Sequence, residues 1–190
     1  MSGRGRLARL ALLVPQHART ALGGFFGHRG PKGDPEGVIV QAVIDGPEGI
    51  LLTVRVDLRG WELPGGNLDP NETEAQALVR EVYEETGLRV EVGELVGDYL
   101  RTGFRPHRAR LYHCHVLSGT ARPSEETPVV RWFAKDALPS TLFPWFRTPI
   151  EDFLADLPTP PKRTEHLGLS EILTGFKIDL KMRWTDDKHP

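Results

Sequence analysis

Residues Gly66–Leu88 read GNLDPNETEAQALVREVYEETGL, and the spacing inside this stretch decides the fold. Thr73 and Gln76 have the form of a capping box, which predicts a helix beginning just after Thr73. Gly87 is suited to end it. At about 100° per residue, Ala75, Leu78, Val79 and Val82 share one arc and form the expected core face. Glu74, Glu81, Glu84 and Glu85 fill the adjacent arc. Like charges at i, i+4 cost an isolated helix about 0.2–0.5 kcal/mol per pair. A wall of carboxylates therefore asks for compensation, which a divalent cation supplies. Magnesium takes a few carboxylates together with waters and substrate phosphates, so this face points to a metal bridge to a polyphosphate. Just ahead of it, Leu63-Pro64-Gly65-Gly66 reads as a turn whose glycines let backbone come close to other groups.

Written as a pattern, the stretch is Gly66, five residues, Glu72, seven residues, Arg80-Glu81-Val82, one residue, Glu84-Glu85, one residue, Gly87-Leu88. It resembles the Nudix box, with every defining position filled. The resemblance implies an α/β fold, the Nudix αβα sandwich with a mixed β-sheet between helices. It implies hydrolysis of a nucleoside diphosphate linked to another moiety, by attack of water on phosphorus. Glu81, Glu84 and Glu85 are then expected to supply the metal site, for Mg2+ or alternatively Mn2+. Arg80 is expected to orient a neighbouring carboxylate through a two-pronged hydrogen bond, which guanidinium geometry allows and lysine does not. Glu72 is expected to fix the loop or the metal's outer shell, and Gly65 and Gly66 to admit close backbone approach.

One carboxylate must take the proton from the attacking water. Glu81 is one candidate; the family also uses acids outside the box, and Glu126, six residues before Trp132, is the other. Trp61, beside the glycine turn, is a candidate for stacking on a base, with core packing as the alternative. Arg101 belongs to a basic stretch with Arg105, His107, Arg108 and Arg110 that faces no obvious acidic partner, and it is a candidate for phosphate binding.

Composition bounds the rest. A chain of 190 residues, 39% hydrophobic and 26% charged, is of the soluble globular class with room for one domain and extra segments. Cys114 is the only cysteine, so no intramolecular disulfide forms and a cytoplasmic setting fits. No apolar run approaches the ~20 residues of a membrane-spanning helix. Residues 1–33 carry Arg4, Arg6, Arg9, Arg19, Arg29 and Lys32 without one acid, although the whole chain has a net charge of −2. That asymmetry marks 1–35 as a basic N-terminal extension, read as packing on the domain or on a second subunit, with a membrane or targeting role, or disorder, as the alternatives.

Residues 36–157 are expected to form the Nudix hydrolase domain. Its strands are read at Val38–Ile44, Ile50–Val56, Val90–Leu100, Arg108–Leu117 and Val129–Phe133. Thr148, Pro149 and Glu151 predict a second capped helix running to about Leu157. Residues 158–190 are read as a linker followed by an amphipathic strand, because Phe176, Ile178, Leu180, Met182 and Trp184 alternate with charged residues. Such a stripe on one face favours a homodimer in which a second copy covers it. The partner expected otherwise is a nucleotide-derivative substrate, ADP-ribose or a nucleotide sugar before a nucleoside triphosphate, and no stable nucleic-acid partner. The rival reading is a non-catalytic nucleotide-sensing module on the same fold.

Overall fold

The structure is a computed structural model and describes residues 37–184. The basic extension read at 1–35 lies outside the described residues. β1 (Val38–Gly46) is a nearly continuous run of β-branched and apolar residues, the composition of a strand covered on both faces. Its side chains alternate between two cores: Val40, Ala42 and Ile44 pack under α1 (Glu74–Thr86), while Val43 joins the core on the opposite face.

One edge of β1 carries β6 (His107–Ser118) in parallel register. β6 pairs antiparallel with β5 (Arg89–Gly103), and β5 pairs in parallel with β8 (Lys162–Leu167). The other edge of β1 is divided. β2 (Gly49–Val54) pairs with it only where Asp45 meets Ile50 and Gly46 meets Gly49. Farther along, Ile39, Val40 and Gln41 are taken by β4 (Gly65–Asn67), while β2 diverges to pair with β3 (Trp61–Glu62) and β7 (Val129–Phe133). This split brings the glycine turn against β1 under the second half of α1.

α1 has the capping box on Thr73 and Gln76, and Gly87 closes it in the left-handed conformation. Its buried face is not the expected one. Leu78 and Val82 are buried, but Ala75 and Val79 face solvent, and Ala77, Glu85 and Thr86 are buried instead. The helix is thus turned by roughly 60° toward its carboxylate arc, because the glycine strand β4 covers that arc. Deleting the Leu78 side chain would cost about 2–5 kcal/mol.

The opposite face carries a 3-10 turn at Pro144–Phe146, α2 (Arg147–Leu154) and α3 (Leu169–Trp184). Phe146, Ile150, Ile178 and Met182 close the second core over Val43, Leu52 and Leu111. α2 lacks the predicted cap. It starts one residue before Thr148, since the preceding 3-10 turn runs straight into it and the Arg147 N–H donates to the Pro144 carbonyl. The alternating segment is α3, not a strand. Gly175, Ile178, Asp179 and Met182 are its buried residues, spaced for one helix face, and Glu171 near its start and Lys181 and Arg183 near its end suit the helix dipole. Of the five alternating apolar residues only Ile178 and Met182 are buried, and their own domain covers them. The burial argument for a second subunit therefore falls away. β8 was not foreseen: Lys162–Leu167 is largely polar and exposed, and it becomes a strand by joining the free edge of β5.

Candidate active site

The turn that precedes α1 fits only glycine. Gly65 has φ 145°, and a Cβ there would lie 2.1 Å from the Val40 carbonyl oxygen. At Gly66 a Cβ would lie 2.3 Å from Glu81 Oε1, so glycine lets that carboxylate rest directly against the backbone. The Gly65 N–H donates to Glu85 Oε2 at 3.0 Å. Glu85 is thereby bonded to β4, and Glu81 from the preceding turn of α1 rests against the next residue of that strand.

Arg80 arranges the rest. Its Nε and Nη2 donate to the two oxygens of Glu72 at 3.0 and 2.9 Å, and Nη2 also reaches the Asn67 carbonyl at 3.1 Å. Its Nη1 lies 3.0 Å from Glu81 Oε1 and 3.3 Å from Glu84 Oε2. Glu72 in turn accepts from the Asp69 N–H at 3.0 Å, closing the loop between β4 and α1. One guanidinium therefore bridges the loop to the carboxylate arc.

The three expected metal ligands are unequal. Glu85 is 2% exposed, and burial, followed by the Glu81 and Glu126 charges, pushes its carboxyl up to about 7 against the pull of the Gly65 N–H and Arg55. Glu81 is raised as well, by burial first, with Glu84 and Glu126 adding to it and Arg80 opposing. Glu84 is 56% exposed and leans on Arg80. Glu74 leaves the group: it receives hydrogen bonds from Arg110 and from the Tyr112 hydroxyl. Among the described residues no three His, Cys, Asp or Glu already converge as a metal cluster. Glu81 and Glu85 nevertheless fit a divalent ion, since two crowded, desolvated carboxylates have too little positive charge beside them and magnesium completes its shell with water and phosphate.

Glu126 is brought to the site. The Thr127 hydroxyl donates to the Glu85 carbonyl, the Val56 N–H donates to the Glu126 carbonyl at 3.0 Å, and the Glu126 charge acts on both Glu81 and Glu85. Two other expected contacts are structural. Trp61 is 4% exposed and packs edge-on against Phe133 in the core, so it is not a stacking platform. Arg101, 1% exposed, gives its N–H groups to the Trp145 carbonyl and to Glu165, tying β5 to the 3-10 turn and β8. The basic stretch also has acidic partners: Arg108 lies 2.8 Å from Asp98, and Arg110 pairs with Glu74.

Beside the glycine turn opens a cavity of about 280 Å³. Gly65, Gly66, Arg55, Glu62, Gln41 and also Arg101 lie in its lining. Glu62 went unnoticed in the sequence, where it is one acid between Trp61 and Leu63. Burial holds its carboxyl well above the usual range, with Arg55 at 3.9 Å opposing and Glu85 and Asp57 adding to the rise. Gln41 was equally hidden within a strand pattern.

The family model for the NUDIX domain matches residues 35–157, and the chain belongs to that family. It is 34% identical over 122 residues to a CTP pyrophosphohydrolase of Escherichia coli, covering 62% of this chain and 90% of that one. It is 43% identical over 100 residues to a MutT-like protein of Streptomyces ambofaciens, covering 52% of this chain and 64% of the relative. A solved ADP-ribose pyrophosphatase from Streptococcus suis superposes with a TM-score of 0.55 at 26% identity, over 68% of this chain and 98% of that one. Fold, box and relatives together define a Nudix hydrolase. Among the described residues no helix is long and apolar enough to cross a membrane.

Proposed function

We propose that this protein is a magnesium-dependent pyrophosphohydrolase of a nucleotide, with the diphosphate at Gly65–Glu81–Glu85 and one nucleoside in the adjoining cavity. The juxtaposition of these two carboxylates on the glycine strand with that cavity carries the reading. A bound Mg2+, with Mn2+ as the alternative, would neutralise the diphosphate and make water a better nucleophile. The chain's own residues do the rest. Gly65 and Gly66 keep the approach to the carboxylates free of side chains. Arg80 holds Glu72 and Glu81 in place, and Glu84 adds negative charge at the rim. Glu81 takes the proton of the attacking water, and Glu126, whose charge acts on both Glu81 and Glu85, is the alternative base.

The cavity volume also bears on the substrate. At about 280 Å³ it lies just below the roughly 300 Å³ at which ligand pockets begin, which suits one nucleoside and not two. A nucleoside triphosphate needs only phosphate beyond that cavity, and the CTP pyrophosphohydrolase relative has the same requirement. We therefore favour a triphosphate over the ADP-ribose or nucleotide-sugar substrate that the long flanking segments suggested. Equal concentrations of nucleoside triphosphates, ADP-ribose and nucleotide sugars with Mg2+ decide it: nucleoside monophosphate should form about tenfold faster from a triphosphate, about 1.4 kcal/mol in transition-state binding. Faster release from ADP-ribose reverses the substrate. Tight binding without turnover of any of them would make the protein a sensor.

A further inference from the structure

Part of the cavity wall comes from residues beyond the family match. Leu167 ends β8, and Glu171, Ile172 and Phe176 come from α3. α3 is held in place by a buried carboxylate: Asp179 accepts from the Arg59 N–H at 2.6 Å and from Arg183 Nε at 2.9 Å. Arg183 also donates to the Asp57 carbonyl at 2.9 Å, and Asp57 and Leu58 line the same cavity. The wall is thus fixed by charge-assisted bonds to the loop beside it.

Gln41 of β1 lines the same cavity. Its residue is 6% exposed, its backbone is locked in register with Leu111 on one side and Gly65 on the other, and its Oε1 is buried with no donor among the described residues. A buried amide oxygen without a partner is costly unless a ligand supplies the donor. The carboxylate of Glu171 does not share this condition, because Gly168 N–H and the Ser170 hydroxyl already donate to it.

We propose that β8 and α3 form the base-recognition wall of this cavity, and that Gln41 Oε1 accepts a hydrogen bond from an exocyclic amine of the base. This rests on the reading of the cavity as a nucleotide site. An amino-bearing base such as cytosine offers a donor where uracil presents a carbonyl oxygen, so cytosine is favoured between these two bases of equal size.

The test compares CTP with UTP in the full-length protein at saturating Mg2+. KM for CTP should be about tenfold below that for UTP, the cost of one unpaired buried acceptor. Gln41→Leu should bring the two KM values together. Ile172→Trp, which fills the cavity from α3, should raise KM for both. Metal-free binding of CMP and UMP, followed by the fluorescence of Trp145 in the cavity lining with Trp145→Phe as the control, reads the same preference without chemistry. A protein that hydrolyses no nucleotide yet binds CMP over UMP, with the preference lost in Gln41→Leu, keeps this proposal and loses the hydrolase. Equal KM for CTP and UTP, a CTP preference that Gln41→Leu leaves intact, or a KM that Ile172→Trp leaves unmoved overturns it. Should Gln41→Leu melt early, the CMP-to-UMP ratio of the unsubstituted protein and Ile172→Trp decide.

Discussion

The two ends of one cavity treat buried charge in opposite ways. At the α1 end, Glu85 and Glu81 are desolvated and crowded, offset only by the Gly65 N–H and Arg55 at Glu85 and by Arg80 at Glu81. At the α3 end, Asp179 is completely buried yet receives the Arg59 N–H and Arg183, and Asp152 beneath β8 receives Arg163 and the Tyr99 hydroxyl. A structural carboxylate is satisfied by its own chain. Glu81 and Glu85 are left short of partners, a condition that a bound cation would relieve. Removing an acid should therefore have opposite consequences at the two ends.

The largest effect is expected at the satisfied end. Asp179→Ala leaves Arg183 Nε and the Arg59 N–H without their acceptor, and breaking a buried pair costs about 3–5 kcal/mol. Urea melts should show that loss, with KM rising as α3 loosens. A midpoint unchanged from the parent would mean that α3 does not depend on this carboxylate.

Glu85→Gln should act the other way. The Glu85 carboxyl is raised from an ordinary 4.5 to about 7 in the folded protein, so the unfolded chain ionises first as pH climbs. The stability it contributes is fully present below pH 4.5, declines between 4.5 and about 7, and is gone above that, a span worth up to about 3 kcal/mol. In EDTA at pH 8 the variant should melt higher than the parent, with the gap closing toward pH 4.5. With Mg2+, its turnover should fall by about 100-fold or more. A lower melting point at pH 8 would erase the contrast between the two ends.

Arg80→Lys keeps the charge and loses the two-pronged grip on Glu72. Turnover should fall by about 10–100-fold, as for outer-shell partners of a metal site, with circular dichroism unchanged. A variant within about twofold of the parent would reduce Arg80 to an ordinary surface pair.

The smallest effect is expected at Asp45, outside both ends. Burial raises its carboxyl, but the hydrogen bonds from Lys135 and His113 outweigh that and leave it below the usual value of 3.8. Its stabilisation is present above 3.8 and lost as pH falls through the lowered value. Asp45→Asn should cost no more than about 1 kcal/mol at pH 7, measured by thermal melts.

The legible parts of this molecule were those set by short-range rules. Thr73, Gln76 and Gly87 bound α1 by local hydrogen bonds, and β1 announced itself by β-branched composition. α3 misled, because Phe176 to Trp184 satisfies a two-residue alternation while Ile178 and Met182 also satisfy a four-residue spacing. Only the core that receives them chooses between the two. β8 carries almost no apolar signal and exists because β5 has a free edge.

The site divides along the same line. The sequence alone determined the glycine turn, the capped helix and the carboxylates on its face, since each follows from spacing within one local segment. The tertiary structure decided which carboxylates count: Glu85 is buried by β4, Glu74 is drawn off by Arg110 and Tyr112, and Glu126 is delivered by the Thr127 contact. It also took Trp61 into the core, committed Arg101 on the cavity wall to Trp145 and Glu165, and set Gln41 and Glu62 into the same wall. These outcomes depend on contacts between residues far apart in the chain, where burial and competing partners set the energy of each charge, and no local spacing encodes them.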